Sequence, residues 1–251
     1  MDNGFAESEG MRNLKYLLGI DLGTSGTKTV LFEETGRSVA SETIEYPLYQ
    51  PKNGWAEQEP EDWWNAARDT VKAVIAKSGV KPEDVKGVGI SGQMHGLVLL
   101  DREGRVLRRS ILWCDGRTQE ECDEITQTIG KERLIELSAN PALTGFTAGK
   151  ILWVRKHEPE VYEKAAHILL PKDYVRYRLT GVIAQEISDA SGTNLLDVSH
   201  RCWSEEILEK LHIDKNLLPP LLESSDPAGR VTAEAAAATG LCEGTVVAAG
   251  G

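Results

Sequence analysis

The sequence predicts an α/β domain with a mixed β-sheet flanked by helices. Three observations predict this class: β-rich runs separated by glycine-containing turns, an amphipathic helical stretch directly after them, and an alternation of helices and short strands. A chain of 251 residues can form one large domain or two small ones, each with a core. Its 41% hydrophobic and 27% charged residues are typical of a globular protein.

The amino-terminal half contains the clearest strand patterns. Residues 15–46 hold three apolar runs separated by glycine-containing turns, which predicts an antiparallel meander. Residues 60–79 show helical spacing, with acidic residues at the start and Gly79 past the end. Residues 85–91 are typical of a buried strand. Apolar runs on both sides of the turn 102–104 predict a second hairpin.

The carboxyl-terminal half is mostly helical in pattern. We expect helices over most of 118–180, then a short strand and loop at 182–197, and a helix over 204–211. A proline-rich connector follows, and then a short helix and the strand "GTVVAAGG". Residues 1–13 are polar and aperiodic and are predicted to be a disordered leader, so that the domain occupies 14–251.

Charge and composition argue against several classes of function. Acidic residues outnumber basic ones 39 to 28, and without a basic run this disfavours binding to nucleic acid or to an anionic membrane. No apolar run approaches the roughly 20 residues of a membrane span. The four cysteines include no Cys-x-x-Cys pair, so we expect reduced thiols in a cytoplasmic protein.

The segment "DLGTSGTK" (21–28) has the composition of a phosphate-binding turn. It offers backbone N–H groups, hydroxyls and a cation from Gly23, Thr24, Ser25 and Lys28. Asp21, at the end of the preceding strand, can hold Mg²⁺ directly or through water. The segment is not a Walker loop, because Thr27 replaces the glycine before the lysine. An ordinary hairpin with polar turn residues is the alternative interpretation.

The segment "GVGISGQMHG" (87–96) places three functional side chains among four glycines. His95 and Gln93 can bond sugar hydroxyls, and Met94 can pack against a carbon chain. The glycines allow close approach of backbone or ligand. A buried core histidine and methionine are the alternative. The match of 87–92 to a dinucleotide fingerprint is rejected, because a strand-like run follows instead of a helix.

Two further polar segments allow either a functional or a structural interpretation. In "WCDGR", Asp115 and Arg117 either face a common cleft or form a local ion pair that stabilises a turn. In "SDASGT" (188–193), a structural role is favoured, with Asp189 capping a turn. No Ser-His-Asp, metal-ligand or paired-carboxylate pattern stands out in the sequence.

Taken together, these motifs resemble a known family. The segments that carry the likeness are "GIDLGTSGTK", "ISGQMHG", "ILWCDGRT", "GFTAGKILWVRKH", "HEPEVYEKAAHILLPKDYVRYRLTG" and "SDASGTNLLDV". They are similar to the amino-terminal domain of FGGY carbohydrate kinases, within the actin-like (ribonuclease H-like) ATPase superfamily. They most resemble the branch that phosphorylates D-xylulose. The resemblance extends over nearly all of 15–251.

The resemblance implies two actin-like domains around a cleft, with the ketose in the amino-terminal domain and MgATP held mainly by the carboxyl-terminal one. It implies that Met94 and His95 contact D-xylulose, with Gln93, Asp115 and Arg117 as further candidates. It assigns metal and phosphate positioning to Asp21. The ATP phosphates would contact Gly23, Thr24, Ser25 and Lys28. Domain closure would exclude water during transfer from ATP to the sugar.

The chain departs from the family pattern at its end. The family's catalytic Asp follows the Gly-Gly of the last strand, which here is Gly250-Gly251. We therefore expect an amino-terminal half, which binds sugar weakly and transfers little phosphate without its carboxyl-terminal kinase domain. A kinase for ribulose, gluconate or glycerol is one alternative, and a non-catalytic half-length sugar-binding module is another. The sugar motifs disfavour an actin-like chaperone or filament. Homodimer formation is left open.

Overall fold

The computed structural model describes residues 15–251, so the leader predicted for 1–13 lies outside the described residues. The strands are β1 (Tyr16–Leu22), β2 (Gly26–Glu33), β3 (Ser38–Glu45), β4 (Glu57–Gln58), β5 (Val85–Gly92), β6 (Val98–Leu100), β7 (Ser110–Ile111), β8 (His167–Leu169), β9 (Gln185–Glu186), β10 (Leu196–Asp197), β11 (Cys202–Trp203), β12 (Leu221–Leu222), β13 (Pro227–Arg230) and β14 (Val246–Ala248). The α-helices are α1 (Pro60–Ser78), α2 (Gln119–Ile129), α3 (Lys131–Ser138), α4 (Thr147–His157), α5 (Pro159–Tyr162), α6 (Pro171–Thr180), α7 (Ile187–Ser191), α8 (Glu205–Leu211) and α9 (Ala233–Thr239).

A six-stranded mixed sheet forms the centre of the fold, with the order β13-β14-β5-β1-β2-β3. The predicted meander is confirmed, because β1 to β3 pair antiparallel in sequence. Strand β5 then pairs parallel to β1, and β14 parallel to β5. The register places Asp21 beside Lys28 on one side and Ser91 on the other. The carboxyl ends of β1 and β5 therefore meet at one edge of the sheet.

The two faces of this sheet differ in burial. Alternate residues of β1 such as Leu18 and Ile20 are buried in a core that also holds side chains of α1, α6 and α9. The residues between them face the other way, where Leu17 is 51% exposed and Asp21 is exposed. In the described residues 15–251 this second side is exposed, and we refer to it as the open face of the sheet.

A second hydrophobic core lies among α2, α3, α4 and α8. Strand β6 and the residue before it contribute to both cores. Val98 and Leu100 pack in the first core, whereas Leu97 and Leu99 pack in the second. Because side chains alternate along a strand, β6 joins the sheet to the helical layer. Among the helices of the described chain, none is both long and apolar enough to cross a bilayer.

The two runs around residues 102–104 do meet antiparallel, as the predicted hairpin requires, but each also pairs with a strand outside the hairpin. Strand β6 pairs with β8, and β7 pairs with β4. Antiparallel bridges join Leu97 to Ile111 and Leu100 to Val106, and the Leu107 N–H donates to the Leu99 carbonyl at 2.9 Å. The Asp101 carboxylate accepts the N–H groups of Glu103 and Arg105, which closes a tight local turn. Beyond that turn, Arg108 binds Glu57 and Glu158.

The helical prediction for 118–180 needs one correction, and several short strands elsewhere were missed. The segment "PEVYEKAAHI" forms a single helical turn, α5, and its last residues belong to β8. Strands β4, β11, β12 and β13 were not predicted, because each has at most four residues, too few to show an alternating pattern. By contrast, α1 and α8 agree with their predicted bounds to within one residue, and Gly79 adopts the expected left-handed conformation.

Replacing Trp63 with Ala should lower the free energy of unfolding by about 3–5 kcal/mol, the usual cost of removing a buried aromatic ring. The Trp63 side chain is fully buried under the sheet, and its indole N–H donates to Gln58 Oε1 at 3.0 Å. Urea denaturation would measure the change. Trp113→Ala is the matched control because Trp113 is 47% exposed. Equal losses in both variants would contradict the packing described here.

Candidate active site

The turn between β1 and β2, residues 23–26, forms the candidate phosphate loop. The Gly23 N–H donates to the Gly26 carbonyl at 3.0 Å, and the Tyr46 hydroxyl donates to the Gly23 carbonyl. Within residues 15–251, the N–H groups of Thr24 and Ser25 bond no other residue. Free backbone N–H groups in a tight turn form the concave, anion-binding surface that a phosphate needs. The turn thus leaves N–H groups available for a phosphate, and phosphate binding there stays a prediction.

Beside this loop, the open face of the sheet carries a cavity of about 590 Å³. Its lining includes Asp21, Lys28, Ser91 and the glycines Gly250 and Gly251. Asp21 and Lys28 are cross-strand neighbours, and neither forms an ion pair within the part of the chain that is described. A carboxylate and an ammonium group thus face the same cavity.

Asp21 suits a magnesium ion that is also held by phosphates and water. Mg²⁺ in phosphoryl-transfer sites takes one or two protein carboxylates and keeps several waters. The described residues contain no group of three or more His, Cys, Asp and Glu side chains that could form an all-protein metal cage. A single exposed carboxylate beside free N–H groups and Lys28 has the donor set expected for MgATP phosphates.

The predicted sugar-binding residues directly follow β5. The Gln93 N–H donates to the Leu22 carbonyl at 2.7 Å, which ties this loop to the end of β1. His95 has φ 66°, a left-handed conformation that is uncommon outside glycine. Its ring packs edge-on against Phe146 with centroids 4.8 Å apart. We refer to residues 93–96 as the sugar loop.

Gln58 joins the two loops, and sequence reasoning missed it. Its Nε2 donates to the Thr24 carbonyl at 2.7 Å. Its Oε1 accepts from Gln93 Nε2 and from the Trp63 indole, each at 3.0 Å. Gln58 is 1% exposed, so these contacts replace its hydration. The contacts span 34, 35 and 5 residues of sequence, and no local pattern marks such a side chain.

Asp115 and Arg117 form a buried ion pair with each other. The Asp115 side chain is 0% exposed and accepts from the Ala56 N–H at 2.6 Å and from Arg117 Nη2 at 2.7 Å. The Arg117 side chain is 1% exposed, binds Glu57 and lies 3.7 Å above the ring of Trp55. These contacts are those of the local ion pair, and direct contact with substrate stays a prediction.

Trp113 is the exposed aromatic residue of this region that the sequence did not single out. Its indole N–H donates to Thr24 Oγ1 at 3.0 Å. Its backbone lies next to Gly145, where an added Cβ would sit 3.1 Å from the Trp113 carbonyl oxygen. A 47% exposed indole between the phosphate loop and the 145–146 turn offers an apolar wall to a ligand in the cleft.

The expected turn-capping role of Asp189 is wrong. Glu186 caps α7, because its carboxylate accepts the N–H groups of Ser188 and Asp189. Asp189 instead pairs with buried Lys172, with Oδ2 and Nζ 3.0 Å apart. Burial raises the pKa of Asp189, and Lys172 opposes that shift. The capping position is three residues earlier than predicted because the chain enters α7 directly from β9.

Comparison with known proteins shows that this chain is similar to sugar kinases. The model of the amino-terminal domain of the FGGY family of carbohydrate kinases matches residues 16–251. The xylulose kinase of Bacillus subtilis is 47% identical over 95% of this chain and 48% of its own. The solved xylulose kinase of Rhodospirillum rubrum has a TM-score of 0.91 at 30% identity, and the gluconate kinase of Lactobacillus acidophilus has 0.88 at 28%. Both alignments cover 94% of this chain.

The chain spans about half the length of the relatives it matches. The match extends from the first residues of β1 to the glycines after β14. It therefore includes both the phosphate loop and the sugar loop.

Proposed function

The chain belongs to the FGGY family of carbohydrate kinases, and from that premise we propose that it forms the sugar pocket of a kinase that phosphorylates D-xylulose. The observation that carries this proposal is the link through Gln58, which fixes the phosphate loop beside the sugar loop. A kinase must hold phosphate and acceptor hydroxyl in one geometry. The names of the relatives favour D-xylulose among the ketoses.

In this proposal the terminal O5 hydroxyl of D-xylulose attacks the γ-phosphorus of ATP. The O5–phosphorus bond forms as the bond to the β,γ-bridging oxygen breaks, and ADP leaves with that electron pair. The hydroxyl proton passes to a carboxylate, which the family resemblance places directly after Gly251. Mg²⁺ would neutralise phosphate charge, with Asp21 as its protein ligand directly or through water. Gly23, Thr24, Ser25 and Lys28 would hold the phosphates.

The sugar contacts follow from the free atoms of the sugar loop. Gln93 Oε1 has no partner within the described residues and can accept from a hydroxyl. Burial lowers the pKa of His95 below its ordinary value of 6.5, so the ring is neutral at pH 7. Met94 packs against the carbon chain. Asp115 and Arg117 are proposed to act on the substrate indirectly. Asp115 holds Arg117 in place, and the Arg117 guanidinium packs on the ring of Trp55 to form a wall beside the substrate. The enzyme would act in the cytoplasm.

Calorimetric titration with a panel of D-xylulose, D-ribulose, D-gluconate and glycerol tests the proposal. D-xylulose should bind most tightly, and His95→Ala should weaken its affinity by about 10-fold or more, the equivalent of one buried hydrogen bond. Lys86→Met is the control, because Lys86 is exposed on β5 and only reaches the Glu83 carbonyl. Tighter binding of D-gluconate would favour the activity named for the Lactobacillus acidophilus neighbour.

A further inference from the structure

The backbone of His95 is held by hydrogen bonds from helix α4. Its carbonyl accepts from Lys150 Nζ at 2.9 Å and from Thr147 Oγ1 at 3.1 Å. Both donors come from the first turn of α4, more than 50 residues away along the chain. A left-handed backbone at a non-glycine residue costs of order 1–3 kcal/mol and persists only where its surroundings enforce it. The two bonds supply that enforcement at φ 66°.

Lys150 is an unusual donor because it is fully buried. Its ammonium group also bonds the carbonyls of Gly145 and Phe146, and no carboxylate of residues 15–251 lies within ion-pair distance. Burial lowers the pKa of Lys150 to about 7, and Asp115 is the largest opposing influence. A buried lysine is unfavourable unless its bonds offset the lost hydration. Here those bonds all go to the carbonyls that shape the sugar loop and the 145–146 turn.

The ring of His95 is fixed separately by Gly192. Nδ1 lies 2.8 Å from the Gly192 carbonyl oxygen, and a carbonyl oxygen only accepts, so Nδ1 carries the hydrogen. In the neutral ring, Nε2 is then an acceptor, and it has no partner among the described residues. A Cβ added at Gly192 would lie less than 3.0 Å from both Cε1 and Nδ1 of the ring.

We infer that Lys150 and Gly192 are positioning residues that present Nε2 of His95 as a hydrogen-bond acceptor for a sugar hydroxyl. Lys150 sets the backbone, and Gly192 sets the ring orientation and the tautomer. The identity of the ligand as a sugar rests on the proposed function. The tautomer of His95 and the hydrogen bonds from Lys150 and Thr147 to its backbone carbonyl do not depend on that proposal. The inference gives a functional role to the segment 188–193, for which the sequence favoured a structural role.

The tautomer is tested by the ¹⁵N chemical shifts of histidine in the uniformly labelled protein, with His95 assigned by comparison with His95→Asn. The structure requires a protonated Nδ1 and an unprotonated Nε2 near neutral pH. Observation of the reverse tautomer would overturn the inference without any reference to sugar or activity.

The positioning role is tested by Gly192→Ala and Lys150→Met. Each should raise the Kd for D-xylulose by about 10-fold or more, the equivalent of one lost hydrogen bond, and leave the KM for ATP unchanged. Gly87→Ala is the matched glycine control, because a Cβ there meets only ordinary contacts. Lys156→Met is the control on the same helix, because the Lys156 side chain is 46% exposed and its ammonium group binds Glu121 and Glu124 instead of the sugar loop.

The outcomes separate the two proposals. If the unaltered protein does not bind D-xylulose, the proposed function fails and the tautomer result still decides the inference. If it binds D-xylulose and both Gly192→Ala and Lys150→Met bind it equally well, the inference fails. Thermal melting identifies a variant that does not fold. If Lys150→Met is such a variant, Gly192→Ala decides the question, because Gly192 is outside the left-handed region of backbone space.

Discussion

Asp21→Asn is expected to lower the rate of phosphoryl transfer by about 10²–10³-fold, the cost of removing one preorganised electrostatic contact in an active site. Asp21 presents its carboxylate to the cavity beside Lys28. The substituted amide keeps the shape but has no negative charge to bind Mg²⁺ or to order its waters. The sugar loop does not contact this side chain, so the Kd for D-xylulose should stay within about twofold of the parent value.

Steady-state turnover with MgATP and D-xylulose, measured on the protein that carries this chain, supplies the rate. Titration with D-xylulose alone supplies the affinity. Glu45→Gln is the control because it makes the same carboxylate-to-amide change at an exposed position of β3, in register with Gly26. A turnover rate for Asp21→Asn equal to that of Glu45→Gln would remove Asp21 from the proposed mechanism.

Local patterns predicted the parts of the fold that local forces determine. Alternating burial along β1 and β2, and the amphipathic spacing of α1, are each visible within about ten residues. The partner of β6 was not predictable in this way, because β8 lies far along the chain and both strands are only three residues long. Tertiary packing therefore gives β6 a second neighbour, β8, in addition to the local run across the turn.

The candidate site divides in the same manner. Asp21 lies in the last residues of β1, and Thr24, Met94 and His95 follow the ends of strands, which is where ligands bind in α/β folds. Gln58, Trp113 and Lys150 contact the site from distant segments, so their roles follow only from coordinates. Lys150 stands in a quoted family motif, yet a lysine in a helix is ordinarily an exposed residue, and the sequence gives no sign of its burial.

Arg176→Met is expected to reduce the free energy of unfolding by about 3–5 kcal/mol, the usual result of breaking a buried ion pair on one side. The Arg176 guanidinium is fully buried, with Nη1 2.8 Å from Asp173 Oδ1. Nη1 also donates to the Ala249 carbonyl at 2.7 Å, and Nη2 donates to the Ala184 carbonyl. The methionine would leave Asp173 with only Lys172, whose Nζ is 3.4 Å away.

Urea denaturation of Arg176→Met, Asp173→Asn and the double variant forms a cycle that isolates the pair. The double variant should be less destabilised than the sum of the single variants, because neither charge is then left unpaired. Arg201→Met is the surface control: the Arg201 and Glu223 side chains are 55% and 54% exposed, so solvent screens the pair and little loss of stability is expected. A loss for Arg176→Met no larger than for Arg201→Met would contradict the account.

Arg176→Met is also expected to affect the proposed phosphoryl transfer, because Arg176 contacts the end of β14. Lys172 and Arg176 both donate to the carbonyl of Ala249, at 3.3 and 2.7 Å, just before the two glycines that line the cavity. The family resemblance would place the proposed base directly after those glycines, and glycine itself resists little bending. The buried cations therefore fix the direction in which the chain leaves β14. Arg176→Met should lower kcat in conditions where it stays folded, whereas the KM for D-xylulose should change little because the sugar loop has separate supports.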